Sequence, residues 1–425
     1  MFRQIFCRTR PQWLFGILWL CIAPINLAFA EVLTTAKAVE KTLRFSPALQ
    51  QFPYQQRALE ADALQAGLNP NPVLQADLEN VFGSGNSRFL AGAELTLSLS
   101  QLIEMGDKRQ QRINVANAQV PVLQQQYEVQ RMDVVAETLR DYYQALRVDA
   151  MLAWNQRRIS EQKTAVEVIQ RRARAGVVGD ADVLRMQLRL SRAENRQQQL
   201  INERELAYQK LAANWLGEVD FTELAGDLAA LPALPDFSQL ASAVEQTPQY
   251  LRVQALSRLR TAQIALAEAN AVADITVGAG IRRMEATNDN ALVFSFSMPL
   301  QINNPNQGNI ARANAMYEQE LQEVALTNNQ VIMALREIHM AMTNNTALVT
   351  ALKTNLQPVA KSLLASTAKG YELGQYGVLQ WVDAQTELFA VEREIIEAQT
   401  AVHLQYLELE RLSGRSLNSQ MTNEE

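Results

Sequence analysis

The sequence predicts a mainly α-helical chain that carries two short membrane-type β-hairpins, with the whole pattern written twice. Three observations predict it. The first is the scarcity of helix breakers: 17 Gly and 13 Pro in 425 residues, when those two residues are what ordinarily end helices. The second is a switch of hydrophobic period from helical to alternating at two places. The third is internal repetition. Ser98-Leu99-Ser100 … Ile113 … Ala116-Asn117-Ala118 returns 197 positions later as Ser295-Phe296-Ser297 … Ile310 … Ala313-Asn314-Ala315. Gly176 and Gly179 return 198 positions later as Gly374 and Gly377, followed by Gln187/Gln385, Leu190/Leu388 and Tyr208/Tyr406. Several matches in order at a nearly constant offset indicate a tandem duplication.

Residues 1–30 read as an export signal. Arg3, Arg8 and Arg10 precede an apolar run from Trp13 to Ala23, and Ala28-Phe29-Ala30 makes a small-x-small cleavage site. Leu20 precedes Cys21, which argues against lipidation. Both cysteines, Cys7 and Cys21, lie in this segment, so the mature chain is expected to hold no disulfide and no thiolate metal ligand. Loss of three arginines and no acid leaves 36 basic against 45 acidic residues, a net of −9. An acidic balance argues against nucleic-acid binding, and 48% hydrophobic residues argue against disorder. No later apolar run approaches the roughly 20 residues of a membrane-spanning helix.

The rest divides into a first repeat (31–217), a linker (218–235), a second repeat (236–414) and a polar tail (415–425). In the first repeat a helical segment over about 36–69 stops at Asn69-Pro70-Asn71-Pro72. Leu74, Ala76 and Leu78 then alternate with Gln75, Asp77 and Glu79, predicting a strand over about 73–81. After Gly83-Ser84-Gly85-Asn86, a second strand over about 91–100 carries Leu95, Leu97 and Leu99 on one side. The second repeat predicts strands over about 274–283 and 291–299. Long helices follow, over about 107–175 and 309–372; from Asp107 to Ala175 and from Asn309 to Lys369 there is no Gly and one Pro each, Pro121 and Pro358, where a kink or local unwinding is expected. Apolar residues at 3–4 spacing (Met132, Val135, Leu139, Tyr142; Val331, Leu335, Ile338, Met342) predict a coiled-coil seam. Some 65 residues at about 1.5 Å each reach about 100 Å. Each Gly-x-x-Gly turn leads into a returning helix.

Strands of nine or ten residues suit a tilted membrane strand. Their half-apolar, half-polar pattern suits a wall with lipid outside and water inside. Lipid leaves no strand edge unpaired, and membrane barrels begin at eight strands, so four per chain must be completed by other copies. A trimer would give twelve strands around a channel; a dimer's eight would be filled by side chains. The competing reading is a pair of soluble hairpins capping a helical bundle.

This grammar resembles the TolC-like outer-membrane factors of tripartite efflux pumps. The run Asn69-Pro70-Asn71-Pro72 … Glu79-Asn80-Val81-Phe82-Gly83-Ser84-Gly85 … Leu97-Ser98-Leu99-Ser100-Gln101-Leu102-Ile103-Glu104-Met105-Gly106-Asp107-Lys108-Arg109 is similar to their CzcC branch, which serves cobalt–zinc–cadmium exporters of the resistance–nodulation–division type. The resemblance implies a homotrimer: a 12-stranded β-barrel in the outer membrane, continuous with a long periplasmic α-helical barrel. It implies a passive exit duct without cofactors, partnered by a periplasmic adaptor and an inner-membrane transporter. It also implies a closed periplasmic tip. There the family's inter-helix acid falls on Asp182 and its tyrosine partner on Tyr371. One acidic ring position falls on Asp383; the other is Gln380 here, and a basic latch position is Tyr376.

Bland readings stand beside these. Asp182 also reads as a helix cap, Asp383 as a solvated helix residue, Tyr371 and Tyr376 as turn packing, and Trp381 as buried rather than adaptor-facing. His339 and His403 are isolated and read as packed helical residues. There is no phosphate-binding Gly-rich loop, no His-Glu-x-x-His and no Gly-x-Ser-x-Gly, so no enzyme is expected. A drug-exporting channel, a periplasmic adaptor or a coiled-coil scaffold remain the alternatives.

Overall fold

The computed structural model describes residues 32–414; the expected signal and the polar tail lie outside the described residues. The chain opens with β1 (Val32–Leu33), α1 (Thr35–Phe45), α2 (Pro47–Gln50) and α3 (Phe52–Ala66). The sequence reading expected one helix here. Pro47 breaks it by forcing the residue before it from helical geometry, so Ser46 is extended (φ −61°, ψ 123°), whereas Pro53 stands in the first turn of α3, where its missing N–H is tolerated, and Gln51 before that helix stays helical (φ −77°, ψ −26°).

The first hairpin is β2 (Val73–Glu79) and β3 (Glu94–Ile103), followed by α4 (Lys108–Arg174) and α5 (Asp180–Ala213). The linker holds β4 (Glu223–Leu224), which pairs in parallel with β1, and α6 (Phe237–Ser242) follows. The second repeat continues with α7 (Pro248–Ala269), β5 (Ile275–Met284), β6 (Asp289–Ser297), α8 (Gln307–Ala351), one π-helical turn (Leu352–Leu356), α9 (Gln357–Glu372) and α10 (Val378–Ser413). The duplication extends to backbone geometry: Asp107 and Asn306, each preceding a long helix, are both left-handed (φ 57° and 63°).

The two prolines behave differently. The α-helix of α4 runs through Pro121 without a break. Pro121 and Asn117 are exposed, so water can take the carbonyl that Pro121 leaves unpaired. Pro358 instead follows the π turn, whose Thr354 carbonyl is the one it cannot engage.

The four long strands form one antiparallel sheet in the order β2-β3-β5-β6. The two hairpins join through ten residue pairs from Glu94↔Met284 to Ile103↔Ile275. One face carries Leu74, Leu78, Leu95, Leu97, Leu99, Ile281, Leu292, Phe294 and Phe296, and nothing covers it: Leu97 is 52% and Phe294 79% exposed. The other face carries Gln75, Asp77, Thr96, Ser98, Ser100, Ser295 and Arg282, whose guanidinium meets Glu94 at 3.0 Å and Glu79 at 3.4 Å. A soluble sheet would bury its leucines; this one leaves them uncovered, while Ser98 and Ser100 are half-buried and Ser295 is exposed.

The polar face is also crowded. A Cβ on Gly280 would lie 2.6 Å from the Leu97 carbonyl oxygen and 2.9 Å from Ser98 Cα. A sheet that curls toward this face needs that absence of side chain. Gly280→Val is therefore expected to cost about 1–3 kcal/mol of overpacking per chain, read as loss of the heat-dissociable oligomer on unheated denaturing gels.

Below the sheet, Lys108 (8% exposed) pairs with Asp274 at 2.7 Å, and Asp274 also accepts the Met105 N–H. Arg112 binds the Glu104 carboxylate and the Ala66 and Leu68 carbonyls. The Glu104–Arg109 run thus fastens the strands to the helices. The helices form a layer. In its upper half α3 packs on α4, α4 on α7, and α7 on α8; in its lower half α5 packs on α4, α4 on α10, and α10 on α9.

Candidate functional site at the helical tip

The end remote from the sheet is built by two like turns. Gly176 and Gly374 are left-handed (φ 71° and 75°) and end α4 and α9. In each, the backbone closes the same pair of bonds: Val177 N–H to Arg172 O and Gly176 N–H to Ala173 O, then Gln375 N–H to Gly370 O and Gly374 N–H to Tyr371 O. That is a Schellman closure, which favours glycine at the left-handed position. Gly179 and Gly377 are the extended N-caps of α5 and α10. The four glycines so divide into two that stop helices and two that start them.

A small apolar core of Ala165, Val166, Ile169, Met186, Tyr371, Val378 and Val382 holds the α4/α5 pair against the α9/α10 pair. Arg172 bridges them. Its guanidinium donates to the Tyr371 carbonyl at 2.6 Å and the Glu372 carbonyl at 2.7 Å, and sits 4.4 Å over the Tyr371 ring. It adds a second bond to the Tyr371 carbonyl and binds that of Glu372 at the end of α9, where the helix dipole also favours a cation. The sequence reading passed over Arg172. Its signal was three arginines (Arg171, Arg172, Arg174) in the last turn of one helix, a pattern that also serves α4 itself.

Tyr371 is 3% exposed and stacks on Trp381 at 5.1 Å. Its hydroxyl is buried without a hydrogen-bond partner. Burial pushes the phenol above its ordinary value, with Arg172 opposing and the Asp182 charge adding to the rise. Asp182 is not the cap, a position Gly179 holds; it stands in the first turn of α5 and pairs with Arg185 at 3.3 Å. Tyr376 lies against Gly370, where a Cβ would come within 2.2 Å of its ring, so it packs the turn. Gln380 and Asp383 lie on one exposed face of α10, and Asp383 has no ion-pair or hydrogen-bond partner among the described residues.

The two histidines serve the linker. His339 Nε2 lies 3.0 Å from the Pro235 carbonyl and His403 Nε2 3.2 Å from that of Leu228. Burial holds His403 below its ordinary pKa, and its ring stacks on Tyr143 at 4.8 Å. No group of three or more His, Cys, Asp or Glu residues among the described residues is placed to hold a metal ion.

Comparison with known proteins gives the same picture. Residues 38–215 match the family model described as outer membrane efflux protein. The chain is 25% identical over 362 residues to the cobalt-zinc-cadmium resistance protein CzcC of Cupriavidus metallidurans, which covers 84% of each. Its fold is similar to the outer-membrane channel OprN (TM-score 0.75, 15% identity, 90% of each chain). It is also similar to the outer membrane protein VceC of Vibrio cholerae (TM-score 0.73, 16% identity, 89% of this chain and 96% of that one). The match over residues 38–215 and the fold shared with OprN and VceC are those of outer-membrane efflux channels, which are transport conduits and not enzymes.

Proposed function

We propose that the protein is the homotrimeric exit duct of a tripartite efflux system, passive, and opened at its tip by a periplasmic adaptor and an inner-membrane transporter of the resistance–nodulation–division type. The observation that carries this is the uncovered apolar face of an open four-stranded sheet, held on helices about 100 Å long. The flanks support it. Leu184, Leu188 and Leu206 on α5, and Met333, Met340 and Val359 on α8 and α9, are all exposed. Three copies joined flank to flank supply twelve strands and bury both edges.

The gate of this duct is the tip. Asp182 and Tyr371 form its latch, supported by a buried hydroxyl that lacks a partner within the chain and lies in the field of the acid. Asp383 forms a ring of three like charges about the axis, which favours cations, with Gln380 one turn away and Tyr376 bracing the turn. The Gly176, Gly179, Gly374 and Gly377 turns shape it.

The cargo is a heavy-metal cation, on the likeness to CzcC. Among the described residues no cluster of His, Cys, Asp or Glu is placed to hold a metal, so selection is assigned to the partners. Deleting the gene is expected to lower tolerance to zinc, cadmium or cobalt and leave tolerance to organic toxicants unchanged. The opposite pattern would transfer the cargo to organic compounds. For the latch, Asp182→Ala with Tyr371→Phe should raise single-channel conductance in planar bilayers; an unchanged conductance removes both residues from it.

A further inference from the structure

A groove of about 220 Å³ lies where α4, α5 and α10 meet, on the tip half of the helical layer. Arg158 stands 18 residues before Gly176, roughly 25 Å above the tip turn. Three arginines from three helices line the groove: Arg158, Arg189 and Arg393. We propose that it is a binding site for a small polyvalent anion, gripped by these three guanidinium groups.

The charge there is unbalanced. Arg158 is half-buried over the Trp154 and Phe389 rings, at 5.6 and 6.0 Å, and no carboxylate pairs with it among the described residues. Burial first, then Arg189 and Arg393, depress its hold on the proton. Arg189 spends one N–H on the Thr386 hydroxyl at 2.7 Å. Arg393 touches only Glu397, one turn along its own helix at 3.8 Å, with both side chains over half exposed; such a pair contributes little. Neighbouring acids on α4 and α10 do not pair with these arginines among the described residues. Glu392 pairs with Arg157 at 3.7 Å, and Glu161 lines a separate groove beside Trp381.

Two residues of the groove wall also carry buried polar atoms without partners. Trp154 is 6% exposed, and its indole N–H is buried without an acceptor. Gln162, 3% exposed, also lines the groove and leaves its amide oxygen without a partner; the amide turned over would present donors instead. A buried donor left unmade is costly. Planar guanidinium forks match carboxylate and phosphate oxygens two at a time. An anion with two or more charges answers the surplus positive charge of the three guanidinium groups.

The site is independent of the cation cargo and of the latch. Its test is calorimetric titration of the assembled full chain in detergent with sodium citrate and with inorganic phosphate, at constant ionic strength. Wild type is expected to bind one citrate per chain saturably, with phosphate weaker at the same site. Arg158→Gln, Arg189→Gln and Arg393→Gln should each weaken binding at least tenfold. Arg196→Gln, whose partner Glu203 lies on its own helix, should not. Citrate should also raise the melting midpoint of wild type and not of Arg393→Gln. Absence of saturable binding to wild type overturns the proposal whatever the variants do. So does binding that the three substitutions leave unchanged, or binding seen only after the copies are dissociated, which would mean that an acid of the neighbouring copy already fills the groove.

Discussion

Phe294→Arg is expected to eliminate the assembled channel from the outer membrane. Phe294 sits mid-strand on the apolar face of β6, opposite Ala279, and is 79% exposed within one chain. In water that exposure would be a liability; in lipid it is the resting place of the side chain. An arginine at the bilayer midplane of a β-barrel costs roughly 2–4 kcal/mol, and a trimer incurs it in every copy. Gln75→Arg is the matched control, because Gln75 lies on the polar face, opposite Ser98. Fractionated membranes and unheated denaturing gels should show the oligomer lost in the first variant and kept in the second. If Phe294→Arg instead left the oligomer intact and made the protein easier to extract with buffer, the face would be solvent-exposed and the duct reading would fail.

The pattern that matters for this prediction was legible before any coordinates. Alternation at Leu95, Leu97 and Leu99 sets which side chains share a face, because the pleat has a period of two. What alternation cannot say is whether that face is buried against the same chain. Exposed Leu97 and Phe294 answer it. The pairing of β3 with β5 was also beyond reach, since it joins residues 172 to 190 positions apart and no local signal encodes it. The long helices are plain from the absence of breakers, and α4 continues through Pro121 as a helix that a proline does not end, yet the early break at Pro47 goes unmarked in the first helical segment. At the tip, the paired glycines announced the turns, Gly176 and Gly374 because a left-handed helix end favours glycine. Arg172 did not announce itself, because its partners are carbonyl oxygens, and a main-chain acceptor leaves no trace in residue identity. The His403 and His339 contacts to the linker are hidden for the same reason.

That hidden contact carries the second large effect. Arg172→Ala is expected to open the tip more than any change at the Tyr371 hydroxyl. Within one chain the phenol oxygen makes no bond, whereas Arg172 donates to two carbonyls of the other helix pair. Each bond from a charged donor contributes about 1.5–3 kcal/mol. Losing even 2.8 kcal/mol in total moves a closed-to-open ratio about a hundredfold, at 1.4 kcal/mol per factor of ten. The ring of Tyr371 would also lose the cation above it, though its stacking on Trp381 would remain. Single-channel recording in planar bilayers should show conductance rising several-fold for Arg172→Ala. Arg172→Lys should fall between, because an ammonium keeps the charge but cannot reach both carbonyls with one planar fork. Equal conductance for wild type and Arg172→Ala would mean that the two pairs are held by apolar contact alone, through Ile169, Val378 and Val382. The closed tip would then be a matter of packing, and opening it would require a wedge rather than the loss of a bond.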